Sequence, residues 1–97
     1  MTLEKDVERR LVAQLKKLGI LHVKMTPTAQ RGWPDRLICV PGGRVLWIEL
    51  KAPGRESNLS PNQVIVHTKL RALGHLVLVS SSVEECLEFI NGNMESA

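Results

Sequence analysis

Aromatic residues are nearly missing from this chain of 97 residues: Trp33, Trp47 and Phe89 are the whole supply, and there is no tyrosine. A protein that grips single strands by stacking successive bases on aromatic rings needs more of them, so that mode is disfavoured. Cysteine is equally scarce. Cys39 and Cys86 lie in apolar surroundings without close spacing and read as reduced core thiols, not as zinc ligands or a disulfide. No apolar run approaches the roughly 20 residues that a membrane span requires. The opening Met-Thr-Leu-Glu-Lys-Asp lacks the apolar core of a signal peptide. The expected location is therefore the cytoplasm. Neither charge sign dominates: 13 basic against 10 acidic residues give a net charge of +3 and a pI near 9.2. That balance permits a polyanionic partner without demanding one. Repeats and low-complexity segments are absent. The length suits one core and not two, which predicts a single domain over residues 1–92 and a frayed tail over 93–97.

The most informative stretch is Val45 to Lys51, Val-Leu-Trp-Ile-Glu-Leu-Lys. It is apolar on both alternating faces, as in a central strand covered on two sides, until Glu49 and Lys51 appear at its end. Residues two apart on a strand point the same way, so that carboxylate and that ammonium are neighbours. Charges in such a place need a partner, a metal or solvent.

Upstream, Leu3, Val7, Leu11, Leu15 and Leu18 recur at helical spacing, and Gly19 is a helix stop. Glu8 has Leu11, Val12 and Leu15 on its own side and so projects partly toward the core. It reads either as a surface-edge ion pair or as a functional carboxylate. Glu4 projects similarly, but in the first turn the helix dipole accounts for it. Residues 20–25 predict a first strand. A polar loop over 26–34 follows, in which Pro34 biases Trp33 toward extended geometry. Arg36 to Val40 is a second strand, Pro41-Gly42-Gly43-Arg44 a turn, and Val45 to Leu50 the returning strand. Counting back from the turn brings Asp35 beside Glu49 at the far end of this hairpin. After a loop, Ser60-Pro61-Asn62-Gln63 opens a helix with Ser60 as N-cap and Gln63 as the reciprocal capping residue. That helix ends at Gly74, residues 75–80 form a fourth strand, and Ser82 opens a last helix with a second capping box. The order is αβββαβα. The final crossover permits a parallel strand, so the expected class is α/β (α+β) with a mixed central sheet flanked by helices.

Convergent carboxylates make an oxygen-rich site for a hard divalent cation. Such an ion activates water and stabilises charge on a phosphodiester transition state, and a nearby lysine adds positive charge where negative charge builds up. Glu-x-Lys alone is usually a local ion pair. Joined to Asp35 on a hairpin, with Glu8 upstream, it points to a metal site. Lys24, Arg31 and Arg36 flank the acids and are candidates for phosphate contacts; their alternative is solubilising charge at strand ends. Lys24 is also placed to pair with a site carboxylate. His22, His67 and His75 show no metal-ligand spacing and read as structural or surface residues. Trp33 reads as packing beside Pro34, with a DNA wedge as the alternative.

Gly32-Trp33-Pro34-Asp35 followed by Glu49-Leu50-Lys51 resembles the signature of the PD-(D/E)xK nucleases, the restriction-endonuclease-like fold. Within that group the chain is most similar to the small stand-alone VRR-NUC domains of phages and bacteria. Leu59-Ser60-Pro61-Asn62-Gln63 resembles their further motif. Glu8-Arg9-Arg10-Leu11-Val12 is similar to the start of archaeal Holliday-junction resolvases. The resemblance implies Glu8, Asp35, Glu49 and the backbone carbonyl of Leu50 around Mg²⁺ or Mn²⁺, with Lys51 as catalytic lysine and Gln63 lining the site. It also implies cleavage of branched DNA, four-way junctions foremost. The two-fold symmetry of a junction calls for a homodimer.

Overall fold

In the computed structural model, which describes residues 3–26 and 31–94, the elements follow the expected order. They are α1 (Glu4–Leu18), β1 (His22–Lys24), β2 (Arg36–Val40), β3 (Arg44–Leu50), α2 (Pro61–Ala72), β4 (Leu76–Ser80) and α3 (Val83–Asn91). The sheet order is β1-β2-β3-β4, antiparallel through the first three strands and parallel between β3 and β4. β3 is thus central, and its last five residues are all buried. This is the mixed sheet that the apolar run at Val45 to Leu50 requires.

Register decides which residues meet. Arg36 lies opposite Ile48 and Val40 opposite Arg44, so Asp35 and Glu49 follow one step beyond at the end away from the turn. One sheet face carries Ile38, Val40, Leu46, Ile48 and Leu50. They pack with Val7, Leu11 and Leu15 of α1 and with Val83, Cys86 and Ile90 of α3. The other face carries Trp47 and Glu49, and α2 turns its buried residues, His67 and Leu70, inward. Burial pushes the Cys86 thiol up to about 11, as suits a core residue that does no chemistry.

Several boundaries differ from expectation for local reasons. The first strand begins at His22, not residue 20, because Ile20 still belongs to the end of α1: its amide donates to Leu15 O, while Gly19 takes φ 69°. Ser82 caps α3 by accepting from the Glu85 amide at 3.1 Å. The other half of the expected capping box is replaced, since the Ser82 amide donates to Ser80 Oγ. The expected tail opens with Asn93. Its side chain donates to Phe89 O at 2.8 Å, its carbonyl accepts from Arg44 at 2.6 Å, and Met94 packs on the core. The rest of the expected tail, and the loop positions 27–30, lie outside the described residues. No described helix is long and apolar enough to cross a membrane.

Candidate active site

Four chain segments place polar side chains at one end of the sheet: the start of α1, the loop entering β2, the end of β3 and the start of α2. Asp35 is held by the backbone of the neighbouring strand, where the Leu50 amide donates to its Oδ2 at 2.8 Å. The loop before it is pinned from three sides. A Cβ at position 32 would overlap the Asn62 carbonyl at the start of α2, and Gly32 has φ 97°, so only glycine fits there. Trp33 packs on Trp47 with ring centroids 5.4 Å apart. Pro34 is fully buried. The Gly-Trp-Pro part of the signature thus works as a bracket for the aspartate. Trp33 packs as the plainer of its two readings anticipated.

Glu49 is 2% exposed, an unusual place for a carboxylate. Its Oε2 accepts from Gln63 Nε2 at 2.9 Å and lies 3.6 Å from Lys51 Nζ. Its Oε1 is buried without a hydrogen-bond partner. Burial, reinforced by the charge of Asp35, pushes its pKa up to about 7 against the opposing pull of Lys51. Asp35 is also raised, by burial first, although the Leu50 amide works the other way. Two acids that resist ionising side by side leave a strong field for a cation.

Gln63 caps α2 and also faces Glu49 and Lys51. Its backbone N–H donates to Ser60 Oγ at 3.2 Å, and its Oε1 accepts from the Ser60 backbone amide at 2.9 Å. The same Oε1 accepts from Lys51 Nζ at 3.2 Å, while Nε2 faces Glu49. The helix start therefore fixes both the lysine and the glutamate.

The predicted cations divide. Arg36 is 7% exposed and gives its guanidinium to Glu8 at 2.9 Å and to His22 at 3.3 Å, so it is not offered to solvent. Lys24 also pairs with Glu8, at 3.2 Å, as one reading of it anticipated. Glu8 is thus clamped by two cations. Burial pushes its pKa up, but the Arg36 and Lys24 hydrogen bonds outweigh burial and bring it below the usual range. It forms an ion-pair cluster beside the Asp35–Glu49–Lys51–Gln63 group and reaches Asp35 through its field. Arg31 is exposed, in an open depression of about 420 Å³ that Asp35, Gln63, Ser60, Trp33 and Met25 also line.

Sequence reasoning passed over two residues here. Glu4, set aside as a first-turn acid, lines a depression of about 310 Å³ with Lys51, Arg55 and Asn58. Its pKa is raised by burial and next by the charge of Asp35. Helical spacing to Glu8, one turn on, was the available signal. The second is His67, which is buried, with Nε2 3.9 Å from Glu49 Oε1.

Do these residues suit a metal? The Asp35 and Glu49 carboxylates and the Leu50 carbonyl are hard oxygen donors, and both acids are held where burial disfavours their charge unless a cation offsets it. No group of three or more His, Cys, Asp or Glu side chains converges among the described residues. A Mg²⁺-type ion takes one or two carboxylates and keeps several waters, so the donor chemistry of Asp35 and Glu49 suits it without a third acid. A closed all-protein cage of the zinc type does not fit.

No protein-family model matches the chain. A curated protein of Acyrthosiphon pisum secondary endosymbiont phage 1, p44, named as a candidate nuclease, is 39% identical over 79 residues, covering 81% of this chain and 83% of its own. A solved structure described as a VRR_NUC domain superposes with a TM-score of 0.75 at 26% identity, covering 94% of this chain and 97% of its own. With the mixed sheet, the pinned Pro-Asp loop and the Glu-x-Lys strand end in place, the chain belongs to the VRR-NUC family of nucleases.

Proposed function

We propose that the chain is a divalent-metal-dependent endonuclease that hydrolyses phosphodiester bonds in branched DNA, four-way junctions foremost. The observation that carries this reading is two acids at one end of the sheet, Asp35 held by the Leu50 amide and Glu49 only 2% exposed, beside a lysine held by Gln63. Asp35, Glu49 and the Leu50 carbonyl would hold Mg²⁺ or Mn²⁺. Bound there, the ion would activate the attacking water and offset charge on the transferring phosphate.

The chain's own residues do the rest. Lys51, with its side chain 14% exposed, is held by Gln63 and Glu49 so that its ammonium stays at the acids without swinging into solvent. A preset positive charge stabilises developing negative charge without reorganisation. Gln63 keeps Glu49 and Lys51 in mutual register. Arg31 and the exposed Lys24 are offered as phosphate contacts; Arg36 acts through Glu8. Arg31 lines one depression together with Asp35 and Gln63, and Arg55 lines another together with Glu4 and Lys51, so each offers a cation near the acids.

A chain of this size has little surface for reading base edges, which favours recognition of DNA shape over sequence. Paired nicks in a junction need two sites related by two-fold symmetry, and a homodimer supplies them. The test is cleavage of labelled four-way junction, flap, splayed-arm and linear duplex DNA with Mg²⁺ or Mn²⁺, with Asp35→Asn alongside. Symmetric metal-dependent nicks in the junction, absent from the variant, are the expected result. Cutting of every substrate would remove the junction preference. Tight binding without cutting in any metal would leave a DNA-binding accessory module instead.

A further inference from the structure

His67 is 1% exposed, and neither of its ring nitrogens has a hydrogen-bond partner. Facing it at 3.9 Å is Glu49 Oε1, equally buried and equally unpartnered. Two orphaned polar atoms rarely share one buried spot, because each forfeits its hydration for nothing. One is a potential donor and the other an acceptor, and an approach of under about 1 Å makes an ordinary hydrogen bond of them.

The helix explains why they meet. Gln63 and His67 are four residues apart on α2 and so share a face one turn apart. Gln63 Nε2 already holds Glu49 Oε2 at 2.9 Å. His67 addresses the other oxygen. A neutral imidazole carries one proton to place on either nitrogen.

We propose that His67 is a positioning residue for the nuclease site: its Nε2–H donates to Glu49 Oε1, so that α2 grips both oxygens of the carboxylate from residues one turn apart. The inference rests on the nuclease reading for its consequence, since a carboxylate fixed at both oxygens presents one orientation to a metal and to Lys51. Partners behind a metal-binding carboxylate typically matter about 10–100-fold in affinity or activity.

The test compares wild type, His67→Phe, which keeps a ring without a donor, and His67→Gln, which restores an N–H donor. Mn²⁺ affinity is measured by calorimetry, DNA binding by anisotropy without metal, and kcat and KM on the cleaved substrate. Folded His67→Phe should bind Mn²⁺ about 10–100-fold more weakly and lose kcat with unchanged DNA affinity, and His67→Gln should recover part of both. A purely structural histidine would change the melting temperature alone, and wild-type Mn²⁺ affinity in His67→Phe overturns the proposal. Long-range ¹H–¹⁵N spectra of the wild-type imidazole decide even where a variant fails to fold. The Nε2–H tautomer supports the proposal and the Nδ1–H tautomer overturns it. A wild type that neither binds Mn²⁺ nor cuts DNA would remove the nuclease reading, and the tautomer would still decide whether His67 serves Glu49.

Discussion

Replacing Glu49 by glutamine should stabilise the metal-free protein at pH 8 while ending catalysis. The carboxylate is 2% exposed, and its pKa rises from 4.5 to about 7 through burial and the neighbouring Asp35. Above pH 7 the folded protein therefore carries a charge that the unfolded chain bears more easily. That difference corresponds to at most about 3 kcal/mol. Because Asp35 shares in the effect, we work with about 2 kcal/mol, or roughly 10 °C in melting temperature for a domain of this size. The sign is fixed by proton binding. Between the unfolded value and pH 7 the folded state holds the extra proton, so wild-type stability falls as pH rises through this window. The glutamine variant has no such loss. Its advantage should be absent at pH 4, open between about pH 5 and 7, and be complete at pH 8. Urea unfolding in EDTA at these pH values measures it. Adding Mn²⁺ at pH 8 should then raise the wild type and leave the variant unmoved, since only a binding-competent folded state gains from ligand. A variant less stable than wild type at pH 8, or an advantage equally large at pH 4, would refute the reasoning.

Other substitutions test other parts of the site. Gln63→Ala removes a cap and the grip on both Glu49 and Lys51; about 1 kcal/mol of stability and most of kcat should go, which thermal melts and cleavage rates would separate. Glu8→Ala strands the buried Arg36 and should cost about 2 kcal/mol, whereas the pair Glu8→Ala, Arg36→Met should regain much of it in a double-mutant cycle. Gly32→Ala should destabilise by about 1–3 kcal/mol in urea unfolding and lower activity by displacing Asp35, through strain at φ 97° and overlap with Asn62. Arg55→Ala should raise KM with little change in kcat, and should flatten the salt dependence of DNA binding.

Much of this arrangement was legible in the chain because it depends on alternation and turn chemistry. The Pro-Gly-Gly turn fixes the hairpin register, and register alone carries Asp35 to Glu49. The central position of β3 follows from its two apolar faces. What stayed hidden depends on contacts between distant segments. Arg36 looked like a surface charge because its spacing says nothing of Glu8, 28 residues earlier, which draws it inward. Glu4 was explained away by a helix dipole that is real but incomplete, since the helix start also faces Lys51 and Asp35. His67 carried a readable clue, its four-residue spacing from Gln63. That clue became chemical only when α2 was laid over the end of β3.

The packing of Trp33 on Trp47 also makes the protein its own optical instrument. These are the sole tryptophans of the chain: one belongs to the bracket that holds Asp35, and the other sits in the central strand with its indole donating to His75 at 3.2 Å. All of the indole emission and most of the near-ultraviolet circular dichroism therefore arise within one ring diameter of the signature loop. If DNA or a metal shifts that loop, the Trp33–Trp47 geometry shifts with it, and unlabelled stopped-flow fluorescence would time the event against bond cleavage.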